Sequence, residues 1–168
     1  MDFAIESLIR LNLNPFPSKD GHREYQRRQA HMTPGRSHEV QLRVPFHDLD
    51  PMEVVWHGNY LKYFDIARFA LFREGGIDLY RYSREHDLLF PVIKTATKHI
   101  ISLRHGEEFR VRATAREAAI KIVLDFEIHR TADGQTCAKG RGEQVAVKLP
   151  EMETLYEVPA DIRRCLKL

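Results

Sequence analysis

Cysteine is scarce in this 168-residue chain: Cys137 and Cys165 are the only two. Two thiols cannot build a disulfide framework or a four-cysteine metal centre. They fit structural roles in a reducing compartment, and the cytoplasm is the expected location. Long apolar runs are also missing. No stretch approaches the ~20 residues of a membrane-spanning helix, so no span is expected. The opening Met1-Asp2-Phe3-Ala4-Ile5-Glu6 carries acids where an export signal carries basic residues. A dominant charge sign is lacking too: the net charge is +2, which argues against nucleic acid as the main partner and leaves local basic strips possible. Internal repeats and long low-complexity tracts are absent. What is present is an apolar share of 43%, ordinary for a soluble globular protein. At this length it supports one domain with a real core.

The chain divides at residue 37. Residues 1–37 form an N-terminal extension, with Ala4, Ile5, Leu8 and Ile9 at helical spacing over 3–11 and a break at Asn14-Pro15-Phe16-Pro17. The rest of it is either a loose arm packed on a neighbouring subunit or a disordered tail. The folded domain is 38–168. Val40, Leu42 and Val44 alternate with Glu39, Gln41 and Arg43, the two-residue period of a strand with one buried side. Residues 59–74 carry apolar side chains around most of a helical circumference, so a largely buried helix is expected, stopped by Gly75-Gly76. A shorter helix is expected within 77–90. Strands follow at 92–103, 108–117, 120–130 (with Ile120 inside) and 136–148, then a short helix at 160–166. Asp133-Gly134 marks a hairpin turn. The fold class is α+β, an antiparallel sheet wrapped around a long central helix.

One stretch concentrates chemistry. Between His47 and Asn59 stand Asp48, Asp50, Glu53 and His57, in a loop that leads into the long helix. A helix N-terminus offers free N–H groups and partial positive charge, which suit a developing oxyanion. His57, Gly58 and Asn59 occupy the positions of those donors, and Gly58 lets backbone approach a ligand. An upstream carboxylate could then attack the polarised carbonyl or activate water against it.

Asp48-Leu49-Asp50-Pro51, Val54-Val55-Trp56-His57-Gly58-Asn59-Tyr60 and Phe64-Asp65-Ile66-Ala67-Arg68 resemble the hotdog-fold acyl-CoA thioesterases, in the 4-hydroxybenzoyl-CoA thioesterase and YbgC-like branch. Leu103-Arg104-His105-Gly106-Glu107 is similar to that family's turn before its third strand. The resemblance covers roughly residues 38–160. It implies a hotdog fold and hydrolysis of an acyl thioester to free acid and thiol. It places Asp50 on the catalytic aspartate, as general base or nucleophile, and His57 at the head of the central helix. It implies homodimers or homotetramers with the site between subunits, and a substrate on CoA or on an acyl-carrier protein. CoA or phosphopantetheine is then part of the substrate; no separate cofactor and no metal are expected.

The remaining residues carry two readings each. Asp48 is expected to support the loop by bonding backbone N–H groups, and Asn59 to cap the helix. Trp56 is pocket wall or core, and Tyr60 is core or substrate contact. Glu53 departs from the family, which usually has a small residue there. It either points inward, raising carboxylate pKa values or serving as a second base, or faces solvent. The run Arg116-Glu117-Ala118-Ala119-Ile120-Lys121 departs as well, with alanines where relatives hold nucleotide phosphates. Arg104, His105 and Lys121 remain as phosphate contacts, while Arg110 and Arg112 read as the solvated face of the sheet. The competing activities are a non-catalytic acyl-thioester-binding subunit and, less well supported, a hydratase or dehydratase.

Overall fold

The computed structural model describes residues 34–168. The helical spacing over 3–11 lies outside the described residues. Five antiparallel strands form the main sheet: β1 (Ser37–Arg43), β3 (Val92–His99), β4 (Glu108–Ala118), β5 (Ile122–Arg130) and β6 (Thr136–Gln144), in the order β1-β4-β5-β6-β3. A small second sheet joins β2 (Leu88–Leu89), β7 (Val147–Lys148) and β8 (Glu153–Thr154). Helix α1 (Asn59–Glu74) lies on one face of the main sheet, α2 (Leu79–His86) packs against α1 and β2, and α3 (Ala160–Leu166) packs against β4. This is the α+β layering the periodicities predict.

Alternation in β4 and β5 explains the core. Phe109, Val111, Ala113 and Ala115 turn inward, as do Leu124, Phe126 and Ile128. On α1, Tyr63 packs on the Phe109 ring at 4.8 Å and Phe64 stacks on Phe126 at 4.8 Å and 16°. Each such burial is worth roughly 1.5–3 kcal/mol. Gly140 makes the second contact possible, because a Cβ there would stand 2.3 Å from the Phe64 ring. Ala67 is wholly buried, and Arg68 reaches across to the buried Gln144 at 2.7 Å. The Phe64–Arg68 motif therefore joins helix to sheet.

Four expectations need correction. Helix α1 is not buried all round: Leu61, Ile66 and Phe69 are each about 40% exposed, because the sheet covers one side only. Ile120 is exposed rather than inside, since the tight turn delays β5 until Ile122. The strand predicted at 92–103 ends at His99; Ile100 and Ile101 both donate to the Cys137 carbonyl as the chain leaves the sheet. The strand predicted at 136–148 is two, because Val147 and Lys148 pair with the small sheet instead. The Gly75-Gly76 stop holds. Gly76 takes φ +89°, and Gly75 lies so near Cys165 that a Cβ would meet its sulfur at 2.3 Å.

Candidate active site

The loop between β1 and α1 is a tight hairpin. The Asp50 N–H donates to Val54 O (2.8 Å) and the Glu53 N–H to Asp50 O (2.9 Å). The Asp50 carboxylate accepts the Met52 N–H at 2.8 Å, an Asx-type turn made by the aspartate itself. The hairpin is pinned from outside by Val55 N–H to Leu103 O (2.9 Å) and by the pairing of Val54 with Arg104. Asp50 is thus fixed in backbone and partly exposed in side chain. Glu53 sits at the hairpin's tip with φ +60°, the left-handed region that favours glycine, and its side chain is exposed.

Asp48 is nearly fully buried. It does not bond backbone N–H groups as expected. Its carboxylate accepts the Tyr63 hydroxyl (2.6 Å) and the Lys62 ammonium, with His47 Nε2 at 3.7 Å. Burial pushes its pKa up, but the hydrogen bonds from Lys62 and Tyr63 and the Lys62 charge more than reverse this, and it stays below the usual carboxylate range. Burial and the same carboxylate raise Tyr63 well above an ordinary phenol. The Asp48 carbonyl, meanwhile, accepts the Trp56 N–H (2.9 Å) and the Asn59 Nδ2 (3.0 Å). One aspartate therefore ties the loop to the first turn of α1 through both its side chain and its backbone.

At the helix start, Asn59 is not the cap. Gly58 is, with no side-chain cap bond, and the first turn of α1 carries no acid. The Asn59 N–H turns back to Trp56 O (2.9 Å), the Tyr60 N–H to His57 O (3.4 Å) and the Leu61 N–H to Gly58 O (3.3 Å). Among the described residues, no acceptor lies within hydrogen-bonding reach of the His57 and Gly58 N–H groups. Gly58 has ordinary helical φ (−65°). Its lack of a side chain serves Trp56, whose half-exposed ring would stand 2.2 Å from a Cβ.

Of the other candidates, Arg104 and His105 do lie against the loop, through Val54 and through an edge-on contact with Phe46 at 5.8 Å. Lys121 does not: it sits at the β4–β5 turn, paired with Glu143 at 2.6 Å. Tyr60 belongs to the core rather than to an open pocket. His99 stands here instead. Its ring meets Tyr60 edge-on at 4.6 Å and lies 6.5 Å from His57. Burial and the neighbouring His57 lower its pKa. Nothing local in the sequence marks it, because only the end of β3 brings it to the helix. Among the described residues no group of three or more His, Cys, Asp or Glu is arranged for a metal. Cys137 and Cys165 are both buried and unpaired, with thiol pKa values raised by burial.

The chain thus sets a partly exposed loop carboxylate upstream of a helix whose leading N–H groups are free, with the helix packed on one face of a five-stranded sheet. Residues 44–166 match the model of the thioesterase-like superfamily, and the chain belongs to that family of thioester hydrolases. It is 27% identical over 127 residues to the chloroplastic acyl-acyl carrier protein thioesterase ATL3 of Arabidopsis thaliana, covering 75% of this chain and 65% of that protein. Its fold is that of the 1,4-dihydroxy-2-naphthoyl-CoA thioesterase of Synechocystis: TM-score 0.73, 18% identity, 78% of this chain and 96% of that one. The 4-hydroxybenzoyl-CoA thioesterase of Pseudomonas sp. strain CBS-3 is similar at TM-score 0.70 and 23% identity, over 77% of this chain and 99% of that one. These structures establish the hotdog fold.

Proposed function

We propose that this chain hydrolyses an acyl thioester, carried on CoA or on a phosphopantetheine arm, through Asp50. The observation that carries this reading is the pair of unspent N–H groups at His57 and Gly58, in a loop that also fixes the Asp50 backbone. A thioester oxygen bound there gains negative charge on attack and is met by donors that need no rearrangement. Asp50 then acts in one of two ways. As a general base it takes a proton from water, which adds to the carbonyl carbon. As a nucleophile it adds directly, forms a mixed anhydride as the C–S bond breaks, and is regenerated by water. In both, the thiolate leaves and is protonated. The His57 and His99 imidazoles lie 6.5 Å apart, and His99 also meets Tyr60 of the first helical turn.

Asn59 drops out as an oxyanion donor in this reading, because its N–H and amide are spent on the loop. Glu53 drops out as a second base, because it faces solvent. Trp56, Arg104 and His105 form the rim, and Lys121 has no part.

The working unit we propose is a homodimer or homotetramer. β3 pairs with β6 on one side and, among the described residues, with no strand on the other, and Val92, Ile93 and Ile100 on and beside it are each more than 40% exposed. A second copy laid along this edge would cover them and close the site beside His99. No helix is long and apolar enough to cross a membrane, among the described residues. The two buried, unpaired thiols suit a reducing cytoplasm.

The test is Asp50→Asn, assayed by thiol release from a panel of acyl-CoA and carrier-bound acyl thioesters. Loss of about 10²-fold or more in kcat supports the assignment. Full activity in Asp50→Asn removes Asp50 from the chemistry, and a wild type silent on every substrate removes the enzyme reading.

A further inference from the structure

The sheet leaves part of α1 bare. Leu61, Ile66 and Phe69 form an apolar stripe along the helix, each about 40% exposed. With Val40 and Leu42 of β1 they line a groove of ≈ 820 Å³ between strand and helix, which runs from Leu61 and Lys62 at one end to Arg73 at the other. Large apolar side chains gathered on a surface in this way mark a contact site. The groove lies at the β1 edge of the sheet, and β3 is the opposite edge. A second copy laid along β3 therefore does not account for it.

We propose that residues 3–11 of this same chain occupy the groove. Two observations favour that occupant. The first is where the chain enters. Arg36 donates to the Cys165 carbonyl (2.6 Å) and to the Glu74 carbonyl (3.4 Å), so the start of the described chain stands at the last turn of α1, beside the Arg73 end of the groove. From Arg73 to Leu61 the helix rises about 18 Å. Residues 12–33 make the connection, and a coil of that many residues reaches roughly 25 Å. The whole groove is within range, and the tether sets an effective concentration on the order of millimolar. The second observation is the match of length and pattern. Wound as a helix, residues 3–11 measure about 13 Å, close to the roughly 12 Å from Leu61 to Phe69. Ala4, Ile5, Leu8 and Leu11 then share one side, and Asp2, Glu6 and Arg10 the other. So short a helix does not hold in water by itself, and the groove supplies the apolar partner it needs. The contact also bears on the candidate site. The Lys62 ammonium meets the buried Asp48 carboxylate while its side chain is 44% exposed. A segment seated beside Lys62 takes water from that pair, strengthens it and braces the loop that carries Asp50.

The experiment uses the full chain. Leu8→Cys is combined in turn with Leu61→Cys, Ile66→Cys and Phe69→Cys, and each pair is oxidised mildly and run on a non-reducing gel. Cys137 and Cys165 are buried and do not compete. Support is a disulfide within one chain for at least one pair, lost when Glu6→Cys replaces Leu8→Cys. No disulfide from any of the three pairs overturns the proposal. So does a disulfide between chains that forms as readily in a mixture of the single variants Leu8→Cys and Ile66→Cys, because the occupant is then a second copy. Thermal unfolding gives a readout free of crosslinks. Leu8→Glu should lower Tm by about 3–6 °C, and Ile66→Glu should add little to that loss in the double variant, because both break one contact. An unchanged Tm in Leu8→Glu, or losses that add in full, overturns the proposal.

Discussion

Replacing Asp48 by Asn tests the connection between the loop and the helix. Asp48 is buried, and its two oxygens receive a hydroxyl and an ammonium. An asparagine keeps one acceptor and turns an NH₂ towards a donor. It therefore loses one charge-assisted bond, worth about 1.5–3 kcal/mol, and leaves Lys62 without its counter-charge. The cost should be about 2–4 kcal/mol, nearer the lower end because Lys62 is partly exposed and can reach water. For a domain of this size that lowers Tm by roughly 5–15 °C. The pH dependence has a definite sign. The carboxyl pKa is depressed in the folded state, so its contribution is complete above the unfolded value near 3.8 and fades as pH falls through the lower folded value. The gap between wild type and Asp48→Asn, measured by urea unfolding followed by circular dichroism, should be constant near neutrality and narrow below about pH 4. A gap unchanged down to pH 3, or an asparagine variant as stable as wild type, would refute the assignment of Asp48 as an ionised anchor.

Two further substitutions bear on the same loop. Glu53→Gly should stabilise the fold by about 0.5–1 kcal/mol, because it relieves a positive φ at an exposed side chain. Glu53→Ala keeps the strain and should not, so equal melting temperatures for the two would count against strain as the cause. Gly58→Ala should displace the Trp56 ring and with it the free N–H groups. The expected result is a loss of about 10²-fold in kcat by thiol release, with Tm within a few degrees of wild type; an active Gly58→Ala would show that the oxyanion donors lie elsewhere.

The periodic parts of the fold were legible because burial imposes period. β4 alternates at every position from Phe109 to Ala115, and α1 reads as a helix from Asn59 to Glu74. Ends and turns were less legible: β3 stops at His99 because the Cys137 carbonyl captures the next two amides, a contact 37 residues away in sequence. At the site, motif spacing singled out the loop and the helix start, but not which side chains hold them together. Asp48 and Asn59 each proved to bond partners different from those expected, because the partners, Lys62, Tyr63 and the Asp48 carbonyl, are set by how the hairpin folds over the helix. His99 was invisible for the same reason, since the sheet alone brings it to Tyr60.

The helix start also shows why the donors stand upstream of α1 rather than within it. The first amides of a helix have no partner inside the helix. A Ser, Thr or Asp cap would satisfy them and add about 1 kcal/mol. Here Gly58 offers no side chain, yet the amides of Asn59, Tyr60 and Leu61 are closed by the carbonyls of Trp56, His57 and Gly58. The unmet need moves back to the His57 and Gly58 amides, which find no carbonyl among the described residues. The helix thus does without a stabilising cap, and no carboxylate stands in its first turn to compete for the positive end. A negative oxygen is what that end lacks, and under the proposed function the thioester oxygen supplies one.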